Sequence, residues 1–181
     1  SWLASTHKLC HTRARARTNT HRETEREREM LGCCCSGRKP NDLGVRPDGR
    51  LKPAPSSPNC VSSDAAPTDK LHYVDALVVK GDPAAAWDTA VRSLSSWALA
   101  TVEHSDHEYM HVECSTRFWG FVDDLELHLR RSASEHGSER CTIAVRSASR
   151  LGLSDLGVNR SRVESLRKFL AAAGVVELPA Q

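Results

Sequence analysis

Gly120-Phe121-Val122-Asp123-Asp124-Leu125-Glu126-Leu127-His128-Leu129-Arg130 carries the clearest alternation in the chain. Phe121, Leu125, Leu127 and Leu129 share one parity, and Glu126, His128 and Arg130 share the other. Period-two alternation marks a strand with one face towards a core. Such half-apolar strands belong to antiparallel sheets with one covered face. Asp123 falls on the apolar parity, so it is expected to be buried unless a bulge resets the phase. A buried carboxylate needs a partner or a raised pKa. Arg150 is the expected partner, in a structural ion pair Asp123–Arg150.

The neighbouring text extends the sheet. Tyr109 to Thr116 alternates Met110, Val112 and Cys114 with Tyr109, His111 and Glu113. Ser105-Asp106-His107-Glu108 reads as a hairpin loop leading back to a strand over 98–104. Downstream, residues 131–140 read as a polar loop, and residues 141–149 supply Ile143 and Val145 to another strand. Upstream, residues 71–79 carry the β-branched and aromatic content of a first strand.

Two helices complete the pattern. Gly81-Asp82-Pro83 announces the first, with Asp82 as N-cap and Pro83 at the first helical position. Trp87, Val91 and Leu94 form its apolar face, and the expected end is near Ser96. The second is expected from about Asn159 to Ala173, capped by Asn159 or by Ser161 in a capping box with Glu164. Val163, Leu166 and Leu170 are its buried stripe. The order β-α-β-β-β-β-α implies an α+β two-layer sandwich, a mostly antiparallel sheet with both helices on one face.

This reading places a single α+β domain over residues 68–175 and a tail over 176–181. Residues 30–67 hold a cysteine-containing tip and a Pro/Ser/Gly-rich linker, expected to be disordered. Residues 1–29 carry Arg-Ala, Thr-His and Glu-Arg alternations, the readings of three simple dinucleotide repeats. They are expected to be non-native or leader sequence, with Met30 as the true start. A transit peptide is the competing reading, because residues 1–22 have no acid and several Arg, Ser and Thr. A native peptide starting before Met30 would contradict the repeat reading.

Composition narrows the function. The chain of 181 residues has 25 Lys plus Arg against 23 Asp plus Glu. Residues 1–29 account for seven basic and four acidic residues, leaving 18 against 19, a net of −1. No basic stripe is left for a phosphate backbone, so nucleic acid is not an expected partner. No window approaches the ~20 apolar residues of a membrane-spanning helix. Seven cysteines without a CxxC pair suggest neither a zinc site nor a disulfide framework, and favour a reducing compartment. Cys33, Cys34 and Cys35 beside Arg38 and Lys39 are candidates for S-palmitoylation and peripheral membrane association.

No P-loop, GxSxG elbow or dinucleotide fingerprint is present, and no cofactor or metal is expected. His104, His107 and His111, with Asp106 and Glu113, straddle a hairpin and lack a metal-ligand spacing. Cys60 reads as a packing residue. The densest polar constellation is Arg146, Ser147, Ser149, Arg150, Ser154, Asp155, Asn159 and Arg160, leading into a helix N-terminus. Arginine forks and orphan N–H groups attract anions, so these eight residues form a candidate anion pocket. The bland alternative is that Asp123 or Asp155 pins the loop to the sheet through an arginine.

Several stretches resemble the domain-of-unknown-function 1499 family. They are Pro58-Asn59-Cys60-Val61-Ser62-Ser63, the segment Gly120 to Glu126, and the run from Arg146-Ser147-Ala148-Ser149-Arg150 through Ser154-Asp155-Leu156-Gly157-Val158-Asn159-Arg160 to Arg162-Val163-Glu164. The resemblance spans about residues 55–171 and implies membership without an activity, since the family has none established. The leading expectation is a non-enzymatic binding module for a small anionic or amphipathic ligand, tethered to a membrane through its cysteines. The alternatives are a hydrolase or transferase using Asp123 or Asp155 with Arg146 or Arg150, and a scaffold docking a protein on its exposed sheet face.

Overall fold

The computed structural model describes residues 36–117, 120–133 and 139–179. The readings for residues 1–29 and for Cys33, Cys34 and Cys35 lie outside the described residues. The elements are β1 (Cys60–Ser62), β2 (Leu77–Val78), α1 (Pro83–Ser95), β3 (Ala100–Ser105), β4 (Tyr109–Ser115), β5 (Val122–Ala133), β6 (Glu139–Ser149) and α2 (Val158–Ala172). They form an antiparallel sheet of order β1-β6-β5-β4-β3, with β2 sharing the outer edge of β6. This is the expected α+β architecture.

The decisive alternation holds through β5. Leu125, Leu127 and Leu129 join Met110, Val112, Ile143 and Val145 in a core closed by Trp87 and Leu94 of α1 and by Val163, Leu166 and Leu170 of α2. Asp82 accepts from the Ala84 and Ala85 backbone N–H groups at 3.1 and 3.3 Å, the cap that starts α1. Asp106 closes the β3–β4 hairpin by accepting from Glu108 and Tyr109 N–H at 2.9 and 2.7 Å.

Four features differ from the sequence reading. The apolar run 71–79 yields only the two-residue β2, because Asp69 folds its beginning into a turn. Its carboxylate accepts from Leu71 and His72 N–H, both at 3.2 Å, while Tyr73 N–H donates to Asp69 O at 2.8 Å. The missing edge is supplied by β1, paired to β6 at Cys60↔Ala148, Val61↔Ser147 and Ser62↔Arg146. Within the expected loop 131–140, residues 131–133 and 139–140 are strand, since the ladder continues to Ala133↔Glu139. Phe121 lies outside β5 and is exposed.

The fourth difference concerns the face away from the helices. Asp124 and Glu126 of β5 are buried, as are His111 of β4 and Arg146 of β6. Residues 36–64, expected as a linker, lie against that face. Gly44 N–H donates to Glu126 Oε1 at 2.8 Å, Leu51 is buried, and Asp64 takes both terminal nitrogens of Arg130 at 2.6 and 2.8 Å. Pro and Gly correctly mark irregular backbone there, yet irregular backbone can still cover a sheet when a polar face supplies its hydrogen-bond partners.

Candidate functional site

Strand parity divides the eight candidate residues among three places. Arg146 and Arg150 fall on the even parity of β6 and its continuation, facing the covered polar side. Ser147 and Ser149 fall on the odd parity, under α2, where Asn159 meets them. Ser154, Asp155 and Arg160 border a surface cleft before and on the first turn of α2. A single pocket joining Arg146, Arg150 and the backbone near Asn159 is therefore not formed, because a sheet lies between its parts.

On the polar side, Arg150 donates from Nε and a terminal nitrogen to Asp124 at 2.9 and 2.7 Å, and also reaches Glu113. His111 Nε2 lies 2.7 Å from Asp124 Oδ1. An ionised carboxylate only accepts, so that nitrogen carries the proton. Lys39 bonds Glu103 at 2.8 Å and Glu113 at 3.1 Å. Burial works to raise the Asp124 carboxyl, but Arg150 and His111 outweigh it and hold it below the usual range. Next to this group, Glu126 accepts from Arg146 at 3.0 Å and from Tyr109 OH at 2.9 Å. Burial and the Glu126 charge push the Tyr109 hydroxyl pKa upward.

His111, Glu113 and Asp124 present three ligand atoms within 4.8 Å of one another, a spacing that suits a metal ion. Arg150 already brings a positive charge to both carboxylates, so a cation would have to displace a buried guanidinium. His104 is instead turned outward towards Asp106 at 3.2 Å, and His107 is exposed.

Beneath α2, the expected Asp123–Arg150 pair is replaced by Asp123–Arg162 at 2.6 Å. Arg162 also donates to Ser147 Oγ and Asn159 Oδ1, at 2.9 and 2.6 Å. Asn159 is fully buried and reaches Asn59 O and Ser149 Oγ, both at 3.0 Å. This cluster ties β1, β5 and β6 to the helix. Arg162 is absent from the candidate set; its signal is the spacing of three from Asn159, which places both on one helix face.

The helix N-terminus is filled from within. Asp155 accepts from Gly157 N–H at 3.1 Å and Asn159 N–H at 2.7 Å. Neither Asn159 nor Ser161 caps the helix as expected; both lie inside it, and Gly157 at φ 83° makes the entry. Asp155 therefore occupies the anion position that the sequence reading left for a ligand.

The cleft beside it, about 340 Å³, is lined by Lys70, Leu71, Leu156 and Arg160 among others, with Cys60 and Val61 at its base. Arg160 donates to the carbonyls of Tyr73, Leu71 and Lys70 at 2.8, 3.0 and 3.3 Å. Among the described residues neither Arg160 nor Lys70 forms an ion pair. Leu153 and Leu156 are 82% and 94% exposed, and Leu156 is held at φ 53°. Burial pushes the Cys60 thiol up, so it is a packing residue rather than a nucleophile. A second cavity of about 420 Å³ lies between Trp97 and Arg162.

The sequence model of the family described as "Protein of unknown function (DUF1499)" matches residues 50–170. The chain belongs to the DUF1499 family. No curated protein and no solved structure matches it. The DUF1499 match takes in β1 to α2 almost entirely, including the cleft, the Asp123–Arg162 cluster and the Asp124–Arg150 network. Residues 36–49, which contribute Lys39 and Gly44 to the polar face, precede it.

Proposed function

We propose that the chain is a non-enzymatic binding module that takes an anionic amphiphile in the cleft between Lys70–Leu71 and the start of α2. The observation that carries this reading is Leu156. A leucine 94% exposed and in the left-handed region is doubly unfavourable, and it stands beside two cations without carboxylate partners. Strain of this kind, of order 1–3 kcal/mol, persists where surrounding structure enforces it and is enriched at ligand sites. An acidic headgroup would sit at Lys70 and Arg160, with an alkyl chain against Leu71 and Leu156. Acylation of Cys33, Cys34 or Cys35 would add a membrane tether.

The enzyme alternative gains no support from the geometry. Asp123 is committed to Arg162 and Asp155 to the helix cap, while Arg146 and Arg150 project from the opposite sheet face. The docking scaffold gains none either, since residues 36–64 occupy the sheet face it would use.

The test is a thermal-shift titration of the full chain with a short-chain phosphatidic acid kept below its micellar concentration. At 100 times its dissociation constant a ligand adds about 2.7 kcal/mol, several degrees for a domain of this size. The shift should disappear in Lys70→Glu without loss of the fold. A flat titration of the unaltered chain refutes the reading.

A further inference from the structure

We infer that the loop between β6 and α2 docks the molecule on a bilayer surface that carries anionic lipid headgroups, with Leu151, Leu153 and Leu156 as the inserted side chains. This rests on the amphiphile reading of the adjacent cleft, with which it shares Leu156 and to which it adds Leu151 and Leu153. Leu151 and Leu153 do not line the cleft, and they are 41% and 82% exposed within three residues of one another. Contiguous apolar exposure rimmed by polar groups marks an interaction surface.

Two observations select a membrane as the occupant. The first is charge. Lys70 and Arg160 flank the loop, and Arg38 follows Gly37, whose backbone packs against Leu151; none of the three has an ion-pair partner among the described residues. The neighbouring carboxylate, Asp155, is held by two backbone N–H groups of α2. Exposed leucines beside cations without carboxylate partners complement a layer of anionic headgroups over hydrocarbon. The second is the path of the chain. Gly37 lies so close to the loop that a Cβ built on it would stand 2.8 Å from Arg150 Cβ and 2.9 Å from Leu151 Cγ. Cys35 is two residues before Gly37 in sequence. Stable membrane association needs two signals; the apolar-basic loop supplies one, and acylation of Cys33, Cys34 or Cys35 would supply the other.

Co-sedimentation of the unacylated full chain with vesicles tests this. Binding is expected to vesicles of phosphatidylcholine plus phosphatidylserine, not to phosphatidylcholine alone, and to weaken with added salt. Leu153→Asp, a change at a solvent-facing position, should weaken vesicle binding by about tenfold or more, the effect of losing one inserted leucine. The same variant should keep its thermal shift with short-chain phosphatidic acid. Absence of vesicle binding by the unaltered chain overturns the docking face, and so does a Leu153→Asp variant that binds like it. Vesicle binding without a shift by the short-chain lipid overturns the cleft reading and leaves the docking face standing.

Discussion

Replacing Asp124 by Ala removes the centre of the polar side of the sheet. The carboxylate accepts from His111 at 2.7 Å and from two nitrogens of Arg150 at 2.9 and 2.7 Å, at a site where all three side chains are almost wholly inaccessible. Breaking a buried pair by removing one partner costs roughly 3–5 kcal/mol, because the remaining charge stays desolvated. Arg150 keeps Glu113, whose side chain is 22% exposed, so the lower end applies, about 3 kcal/mol. Urea unfolding followed by fluorescence should show the midpoint falling with an unchanged slope. The double variant Asp124→Ala/Arg150→Met should be less destabilised than the sum of its two single changes, by about 1 kcal/mol or more. A single-variant loss below about 1 kcal/mol would refute the argument, since that is the worth of a surface pair. The pH dependence has a definite sign. The Asp124 carboxyl is held below its unfolded value, so its contribution is complete above that value and is lost as pH falls through the folded one. Asp124→Ala should therefore flatten the acid limb of the stability profile, below about pH 4.

Three further outcomes are expected. Asp155→Ala removes the acceptor for Gly157 and Asn159 N–H and should cost about 1 kcal/mol in thermal or urea unfolding, the worth of a helix cap. Gly37→Ala should destabilise measurably, because φ is 68° and the added methyl would meet Arg150 and Leu151; Gly49→Ala, at a similar φ of 74° with open space around it, should cost less. Cys114 is buried and its thiol is pushed up to about 11 by burial and the Asp123 and Asp124 charges, so its alkylation at neutral pH should track unfolding.

The sheet and both helices were legible because their signals are local. Period-two alternation in β4 and β5, Asp82-Pro83 before α1, and the Val163-Leu166-Leu170 stripe each follow from spacing alone. Burial of Asp123 was legible from parity too. Its partner was not, because parity on β6 matters as much as parity on β5. Arg146 stands opposite Glu126, and Arg150 lies four residues further on the same face, whereas Asp123 stands opposite Ser149. That register depends on the length of the β5–β6 connection, which reads as loop from its polar residues but is paired strand at 131–133 and 139–140. The covering of the polar face by residues 36–64 had no periodic signal at all. Its hydrogen bonds come from single backbone groups, such as Gly44 N–H, that any residue can supply. The cleft has no local signal for a related reason: Lys70 and Leu71 are some ninety residues from Arg160, and only the fold brings them together.

Backbone amide shifts of the labelled chain, mapped during titration with short-chain phosphatidic acid, show whether the cleft beside α2 holds an anionic amphiphile. Saturable changes centred on Lys70, Leu71, Leu156, Gly157 and Arg160 are the predicted result. Changes confined to the cavity between Trp97 and Arg162, or none at all, would contradict it.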